Sequence, residues 1–150
     1  QRESDELVAA KAKAAHEAGL KPIVCVGEQL EDRESSRTEE IVASQVRGSV
    51  TGLTTEQMEG TVVAYEPVWA IGTGKTATAA QAQEVHAFIR NLLGDVFDED
   101  TASHVRIQYG GSVKPDNTRE LMSQADVDGA LVGGASLDVR KFSEIILNSI

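Results

Sequence analysis

The chain has 150 residues, 41% of them hydrophobic, and a formal net charge of −10 at pH 7. This length fits one domain with a buried core. A net acidic chain is not attracted to nucleic acid or to an anionic membrane, so we expect neither as a partner. We find no apolar run long enough to cross a bilayer and nothing that resembles a signal peptide.

The chain contains one cysteine, Cys25, which cannot form an internal disulfide. It lies in the apolar run Ile23–Val26, which predicts a small buried strand residue rather than a catalytic thiol. A reducing compartment suits such a chain, so we expect a cytoplasmic protein.

Helices and strands alternate along the chain. The first half predicts a helix capped by Ser4 and ended by Gly19, followed by a strand over 22–26. The charged run 31–40 predicts a solvated loop, from which a helix extends to about Gly48. The Thr54–Gln57 capping box then opens a helical turn, and a strand follows over 62–65. The second half predicts a helix opened by Thr78–Gln81 and closed by Gly94, a strand over 105–109, a short helix capped by Asn117, a strand over 129–132, and a last helix carrying Val139, Phe142, Ile145, Ile146 and Leu147. Strands separated by helices imply βαβ crossovers and one parallel sheet.

The stretch from Val62 to Lys75 carries the strongest functional pattern. A β-branched run ends at Glu66, because Pro67 cannot donate to a sheet ladder. An apolar segment and Gly72-Thr73-Gly74 follow. A loop with a stiff start and a glycine end predicts a lid that closes over a ligand and excludes water.

Each predicted strand ends in residues of functional type: Gly27-Glu28, Glu66, Gly110-Gly111-Ser112 and Gly133-Gly134. The carboxyl edge of a parallel sheet is where ligands bind. Paired glycines let backbone N–H groups approach an anion such as phosphate. The set predicts proton abstraction from a small phosphorylated carbon acid, with Glu66 as the base.

Three strings in the chain resemble the triosephosphate isomerase family: Ala64–Lys75, Tyr109–Ser112 and Leu131–Ser136. The first is similar to the family's catalytic strand and flexible loop, and the other two to its phosphate-binding segments. The resemblance covers essentially all 150 residues. It implies a (β/α)₈ barrel, of which this chain is the second half: four βα units with parallel strands, forming a single domain over 1–150.

The resemblance also implies roles for individual residues. Glu66 would move a proton between two carbons of dihydroxyacetone phosphate and glyceraldehyde 3-phosphate, a step of glycolysis and gluconeogenesis. The phosphate would bind Gly72, Ser112, Gly133 and Gly134. The lid would comprise Pro67, Val68, Trp69, Ala70, Ile71, Gly72, Thr73, Gly74, Lys75 and Thr76. Closed-lid latches would join Tyr109 to backbone near Ala77, Ser112 to the glycine end of the loop, and Trp69 to Glu28. Arg90 and Asp126 match a structural ion pair of the family. No metal or organic cofactor is implied.

The resemblance begins after the fourth strand of the barrel. The family's electrophilic lysine and histidine would lie in the first half, and the three histidines here (His16, His86 and His104) are interpreted as solvated or structural, since none ends a strand. We also expect that helices on one side cannot cover Val24, Val26, Val63 and Tyr65 together, so that a missing N-terminal half or another copy covers the open sheet. The chain alone would then be inactive, and the complete enzyme a homodimer.

Three interpretations stay open at this point. The first is the C-terminal half of an isomerase of this family, active only when complete. The second is a free-standing half-barrel that self-associates and binds phosphate without turnover. The third is another phosphate-handling barrel lyase or isomerase. Glu28 is either a solvated loop acid or the partner of Trp69.

Overall fold

The computed structural model of the chain describes residues 3–70 and 76–150. The strands are β1 (Ile23–Val26), β2 (Val62–Tyr65), β3 (Arg106–Tyr109) and β4 (Gly129–Ala130). The α-helices are α1 (Asp5–Glu17), α2 (Leu30–Glu34), α3 (Thr38–Val50), α4 (Thr55–Glu59), α5 (Ala79–Val96), α6 (Glu99–His104), α7 (Thr118–Met122) and α8 (Val139–Asn148). Short 3₁₀ turns cover Val68–Ala70 and Gly134–Leu137.

The four strands form one parallel sheet in the order β1-β2-β3-β4. Cys25, Ala64 and Gln108 lie side by side in one row across the sheet, and Val26, Tyr65 and Tyr109 in the next row. The predicted parallel sheet is therefore confirmed. Its register brings the carboxyl ends of the strands to one edge.

The predicted capping signals open the helices as expected. The Ser4 hydroxyl accepts from the Leu7 amide at the start of α1, and the two capping boxes at Thr54 and Thr78 both form. Gly19 follows α1 with a φ of +73°, which favours glycine. These contacts join residues only three or four positions apart, which is why the sequence alone predicts them.

Two helix predictions were wrong. The charged run 31–40 is not simply a loop, because α2 occupies its start; the Asp32 carboxylate accepts from the Gln29 backbone N–H at 3.3 Å. Gly94 does not close α5, which continues to Val96. A single glycine inside a helix costs about 1 kcal/mol, less than the packing of the buried Leu92 and Leu93 supplies.

Three further details differ from the prediction. Helix α6 was not predicted, and the Asp98 side chain caps it by accepting from the Thr101 amide at 2.7 Å. Asn117 precedes α7 without a side-chain capping bond; its side chain instead bonds Lys114 N–H and the Ser112 carbonyl. Strand β4 ends at Ala130, two residues before the predicted end, although the Leu131 amide still donates to Tyr109.

The two faces of the sheet have opposite environments. Val24, Val26, Val63 and Tyr65 are all at most 3% exposed, so the expectation that helices on one side could not cover them together was wrong. These side chains point to the helical side, where they join one core with residues of α3 and α5. Alternation along a strand places the intervening residues on the opposite face.

That opposite face is open along β1 and at the start of β3, whereas Ala64 of β2 is buried on it. Ile23 is 48% exposed, and Cys25 and Arg106 are also exposed. The prediction of a buried Cys25 was wrong because its side chain lies on this face rather than against the helices.

Among residues 3–70 and 76–150, every helix is too short or too polar to span a bilayer.

Helix α8 is attached to the rest of the chain by few contacts. Ile145 is buried, whereas Val139, Phe142, Ile146 and Leu147 are between 37% and 78% exposed. The last helix is therefore present as predicted, but most of its apolar side chains lie in solvent.

Candidate active site

Both diglycine turns line a single cleft at the carboxyl edge of the sheet. The cleft has a volume of about 680 Å³, and its lining includes Gly110, Gly111, Ser112, Gly133, Gly134, Lys114 and Lys141. Gly133 and Gly134 are exposed, and nothing lies within 4 Å of where a Cβ would stand on either. The predicted meeting of the two turns is confirmed, and backbone at the second turn is accessible to a ligand.

Glu66 lies beside the first of these turns. Its backbone N–H donates to the Val26 carbonyl at 2.7 Å, which fixes the residue at the end of β2. A Cβ on Gly110 would lie 2.6 Å from the Glu66 Cγ atom and 3.3 Å from Oε1. The side chain therefore passes directly over Gly110, a position that only glycine leaves free.

Glu66 itself is not among the residues that line the cleft of the two diglycine turns; it lines a separate cleft of about 660 Å³ together with Cys25 and Gln45. Although the residue is exposed, partial desolvation of the thiol inside this cleft is the largest of the effects that raise the pKa of Cys25 to about 11; the charge of Glu66 and a hydrogen bond to it act in the same direction. The thiol is thus protonated at neutral pH, which does not suit a nucleophile. The Glu66 side chain therefore contacts both this thiol and the backbone position of Gly110.

The turn before Glu28 is held by one glutamine. Gln45 accepts from the Gly27 N–H at 2.7 Å and donates to the Gly27 carbonyl at 3.1 Å. A Cβ on Gly27 would stand 1.7 Å from the Glu66 carbonyl oxygen. Gly27 therefore allows the ends of β1 and β2 to approach closely.

Glu28 is fully buried and is not a solvated acid. Its carboxylate accepts from the Trp69 Nε1–H at 2.9 Å and from the Tyr65 hydroxyl at 3.1 Å. Burial, followed by the charge of Glu28, raises the pKa of Tyr65. The expected Trp69–Glu28 contact is present, although its role as a latch stays a prediction.

The Tyr109 side chain points at Gly111, the second glycine of the first diglycine turn. A Cβ on Gly111 would lie 2.2 Å from the Tyr109 hydroxyl oxygen. Burial raises the pKa of Tyr109, and the Ala77 backbone N–H partly offsets this. Ala77 is thus close to the hydroxyl, but the hydroxyl forms no hydrogen bond of normal geometry among the described residues. The expected Tyr109 latch stays a prediction.

Several predicted lid residues are described and several are not. Pro67 and Ala70 are buried, Trp69 is partly buried, and Val68 and Thr76 are exposed. The predicted lid residues Ile71, Gly72, Thr73, Gly74 and Lys75 lie outside the described residues, as does the expected Ser112 contact with the glycine end of the loop.

The expected Arg90–Asp126 ion pair is present. Arg90 Nε donates to Asp126 Oδ1 at 2.7 Å, and Nη2 donates to Asp128 Oδ2 at 2.6 Å. Burial alone would raise the pKa of Asp126, but hydrogen bonds from Gln83 and Arg90 lower it below the ordinary value. The guanidinium therefore ties α5 to the start of β4.

The three histidines lie away from the candidate base. His86 is fully buried in α5, and its Nδ1 is 3.0 Å from the Asp126 carbonyl oxygen. His16 contacts Thr61 at 2.9 Å. His104 is exposed at the end of α6. These positions agree with their interpretation as solvated or structural residues.

One group of three metal-ligand types occurs among the described residues. Glu59, Asp100 and His104 place one ligand atom each within 4.8 Å of one another. All three are exposed and precede β2 and β3, so they lie at the edge opposite Glu66. Exposed acidic groups often gather without an ion, so this group does not by itself define a metal site.

Sequence reasoning missed two residues that shape the site, Arg33 and Gln45. Arg33 donates to the buried Glu28 at 3.1 Å. Arg33 lies in the charged run 31–40, whose composition favours solvent, and Gln45 is one polar residue among the apolar residues of α3. A carboxylate after β1 that needs a cationic partner is the one signal that could have indicated Arg33.

A parallel α/β sheet whose carboxyl edge carries one carboxylate and two diglycine turns places this chain among the α/β proteins that carry their sites at that edge, such as the (β/α)₈ barrels. The family model described as triosephosphate isomerase matches residues 1–149. The chain belongs to the triosephosphate isomerase family, and its four βα units are half of a (β/α)₈ barrel.

Curated relatives agree with this assignment. The chain is 61% identical over 144 residues to the triosephosphate isomerase of Moorella thermoacetica, covering 96% of this chain and 57% of that protein. It is 57% identical over 148 residues to that of Carboxydothermus hydrogenoformans, covering 99% and 59%. Identity to that of Fusobacterium nucleatum is 56% over 145 residues, covering 97% and 58%. The chain thus spans a little under three-fifths of the length of these relatives.

Proposed function

We propose that this chain is the C-terminal half of a triosephosphate isomerase and forms a single domain with the other half. In the complete enzyme, Glu66 takes a proton from one carbon of dihydroxyacetone phosphate and returns it to the neighbouring carbon, while the hydroxyl proton of the first carbon passes to the oxygen of the second, giving glyceraldehyde 3-phosphate through an enediolate. The observation that carries this proposal is the contact of Glu66 with Gly110, which places a carboxylate at the first diglycine turn.

The phosphate is proposed to bind at the cleft that both turns line. Ser112, Gly133 and Gly134 supply backbone N–H groups there, with Gly72 as a further proposed donor. Lys114 and Lys141 also line this cleft. Backbone amides suit this task because they offer donors to an anion without a counter-charge that must be desolvated.

The proposed lid spans 67–76, with Trp69–Glu28 and Tyr109–Ala77 as its latches. A closed lid would exclude water from Glu66 and so strengthen electrostatic interactions with the enediolate.

The open face of the sheet supports a need for a covering partner. Ile23, Cys25 and Arg106 are exposed there, and α8 carries a second exposed apolar surface. We propose that the missing N-terminal half covers both and supplies the groups that polarise the substrate carbonyl. The complete enzyme is proposed to be a cytoplasmic homodimer.

The experiment replaces Glu66 in the complete enzyme, reconstituted from this chain and the remaining half. Glu66→Asp retracts the carboxylate by about one methylene, and misplacement of about 1 Å can cost ~100-fold in rate. We expect kcat to fall on this order while inorganic phosphate still binds as a competitor. Glu120→Asp is the matched control, because Glu120 is an exposed glutamate of α7 that lines neither cleft. Undiminished turnover in Glu66→Asp contradicts the assignment of the base.

A second candidate function is a self-associating half-barrel that binds phosphate without turnover. The exposed face with Ile23 and Cys25 favours it, because another copy could cover that face as well as the missing half could. Solution mass separates the two: a lone 16.0 kDa chain that forms a stable dimer and shows no isomerase activity favours this candidate. Restoration of activity by the other half favours the first.

A further inference from the structure

Arg33 lies between two residues of the site and touches both. Its Nη1 atom donates to Glu28 Oε1 at 3.1 Å. Its guanidinium carbon lies 5.0 Å from the centre of the Trp69 ring, over the ring face. The Arg33 side chain is only 20% exposed, so this arrangement is largely shielded from solvent.

The Glu28 carboxylate needs this cation. It is fully buried, and a buried carboxylate is strongly unfavourable unless it is paired and hydrogen-bonded. Trp69 and Tyr65 supply neutral donors to it. Arg33 supplies the positive charge, and its guanidinium covers one face of the indole.

The same contacts reach the candidate base through the backbone. The Val68 N–H donates to the Glu28 carbonyl at 3.2 Å, and the Glu66 N–H donates to the Val26 carbonyl at 2.7 Å. The chain from Glu66 to Trp69 is thus attached to the end of β1 by the Glu66 backbone bond, and to Glu28 by the Val68 backbone bond and the Trp69 side chain. A shift of Trp69 would therefore also move Glu66, which lies three positions earlier in the chain.

We propose that Arg33 is a positioning residue, which clamps the Trp69 indole on Glu28 and thereby fixes the course of the chain directly after Glu66. Its effect on turnover rests on the proposed function. The placement of Trp69 is a property of this chain alone and can be measured without any reaction.

The first experiment uses Trp69 as its own reporter, since it is the only tryptophan in the chain. In Arg33→Gln, one face of the indole loses its cover. We expect the fluorescence emission to move to longer wavelength and acrylamide quenching to increase. Arg37→Gln is the matched control, because Arg37 is a nearby exposed arginine that pairs with Asp32 instead. A folded Arg33→Gln chain with wild-type emission and quenching would overturn the proposal.

Arg33→Lys covers the case in which Arg33→Gln does not fold. Lysine keeps a cation for Glu28 but has no planar group to lie over the indole. We expect a folded chain with increased quenching, and wild-type quenching would overturn the role given to the guanidinium. Loss of the fold in both variants, with Arg37→Gln folded, would also overturn it, because Arg33 would then serve the fold as a whole.

The kinetic experiment uses the complete enzyme. Arg33→Gln should lower kcat by about tenfold with a smaller change in KM, since a sub-ångström shift of the base affects chemistry more than phosphate binding. An unchanged kcat beside an impaired Glu66→Asp enzyme would overturn the link from Arg33 to Glu66. Undiminished turnover in Glu66→Asp would instead contradict the proposed function and leave the fluorescence result standing.

Discussion

Glu66 and Gly110 are in contact across two neighbouring strands, with only 2.6 Å between the Glu66 Cγ atom and the place of a Cβ on Gly110. Real Cβ atoms essentially never come so close to another heavy atom. In Gly110→Ala, the new methyl group would therefore displace the Glu66 side chain. We expect kcat of the complete enzyme to fall by about 10- to 100-fold.

The control for this variant is Gly129→Ala. Gly129 lies on the next strand, where a Cβ would meet Gln108 Cγ at 3.5 Å, an ordinary contact. We expect near-normal kcat there. Steady-state kinetics and thermal unfolding of both variants check the prediction, and equal kcat values in the two variants would contradict it.

His86 should make the fold sensitive to acid. Burial, the largest effect, lowers the pKa of His86 from 6.5 to about 4. Between these values the unfolded chain binds a proton that the folded chain does not, so stability is lost as pH falls from about 6.5 to about 4. The loss attributable to this residue is about 3 kcal/mol. Urea unfolding at a series of pH values measures it.

Two variants separate His86 from the other titrating groups. His86→Gln removes this titration and should flatten the pH dependence, even if it lowers stability at pH 7. His104→Gln changes an exposed histidine and should keep the wild-type dependence. The same acid sensitivity in all three chains would show that carboxylates, not His86, cause it.

Arg90 should be difficult to replace even with lysine. Besides Asp126 and Asp128, its Nη1 donates to the carbonyls of Ala102 and Val105 at 2.8 and 3.1 Å. A lysine ammonium has no fixed fork and cannot reproduce these directions. We expect Arg90→Lys to lower the free energy of unfolding by about 2 kcal/mol.

Urea denaturation checks this prediction, with Arg119→Lys as its control. Arg119 is an exposed residue of α7, and substitutions at such positions usually change stability by less than about 0.5 kcal/mol. Equal unfolding midpoints for the two variants would contradict the bridging role of Arg90.

Replacing Ser36 with glycine should increase the stability of the fold. Ser36 is the non-glycine residue with a positive φ, +56°, among the described residues. An L-residue in this region carries a steric cost that glycine does not. We expect Ser36→Gly to raise the free energy of unfolding by about 0.5–1 kcal/mol.

Ser35→Gly is the control for that variant. Ser35 is also exposed, but its φ is −88°, so glycine relieves no cost there and should leave stability unchanged or reduce it. Differential scanning calorimetry of both variants gives the answer. A lower melting temperature for Ser36→Gly than for the wild type would contradict the argument.

Local patterns predicted most elements of this fold, and contacts distant in sequence account for the errors. The capping boxes at Thr54 and Thr78 act over three residues and are confirmed. The alternation of β1 separates Val24 from Cys25, but which side the helices cover is decided by packing, so the burial of both was misjudged. The unpredicted helix α6 does have a local start signal, since Asp98 can cap a helix and two acidic residues follow it in the first turn.

In the candidate site, too, local patterns predicted some features, and contacts distant in sequence decided the others. The positions of Glu66 and the diglycine pairs at strand ends predicted one shared edge, because parallel strands carry their carboxyl ends to the same side. The contact of Glu66 with Gly110 depends on the register of the sheet, which cannot be predicted from the sequence alone. Arg33 was missed because a single arginine in a charged run gives no local sign of its buried partner.

The helix-facing layer of the sheet has a consequence for assembly. Val63, Tyr65 and Ile107 are already out of water without any covering partner, so an incoming half would meet a surface whose shape is set in advance. Association should then require little ordering of backbone in this half at the moment of encounter.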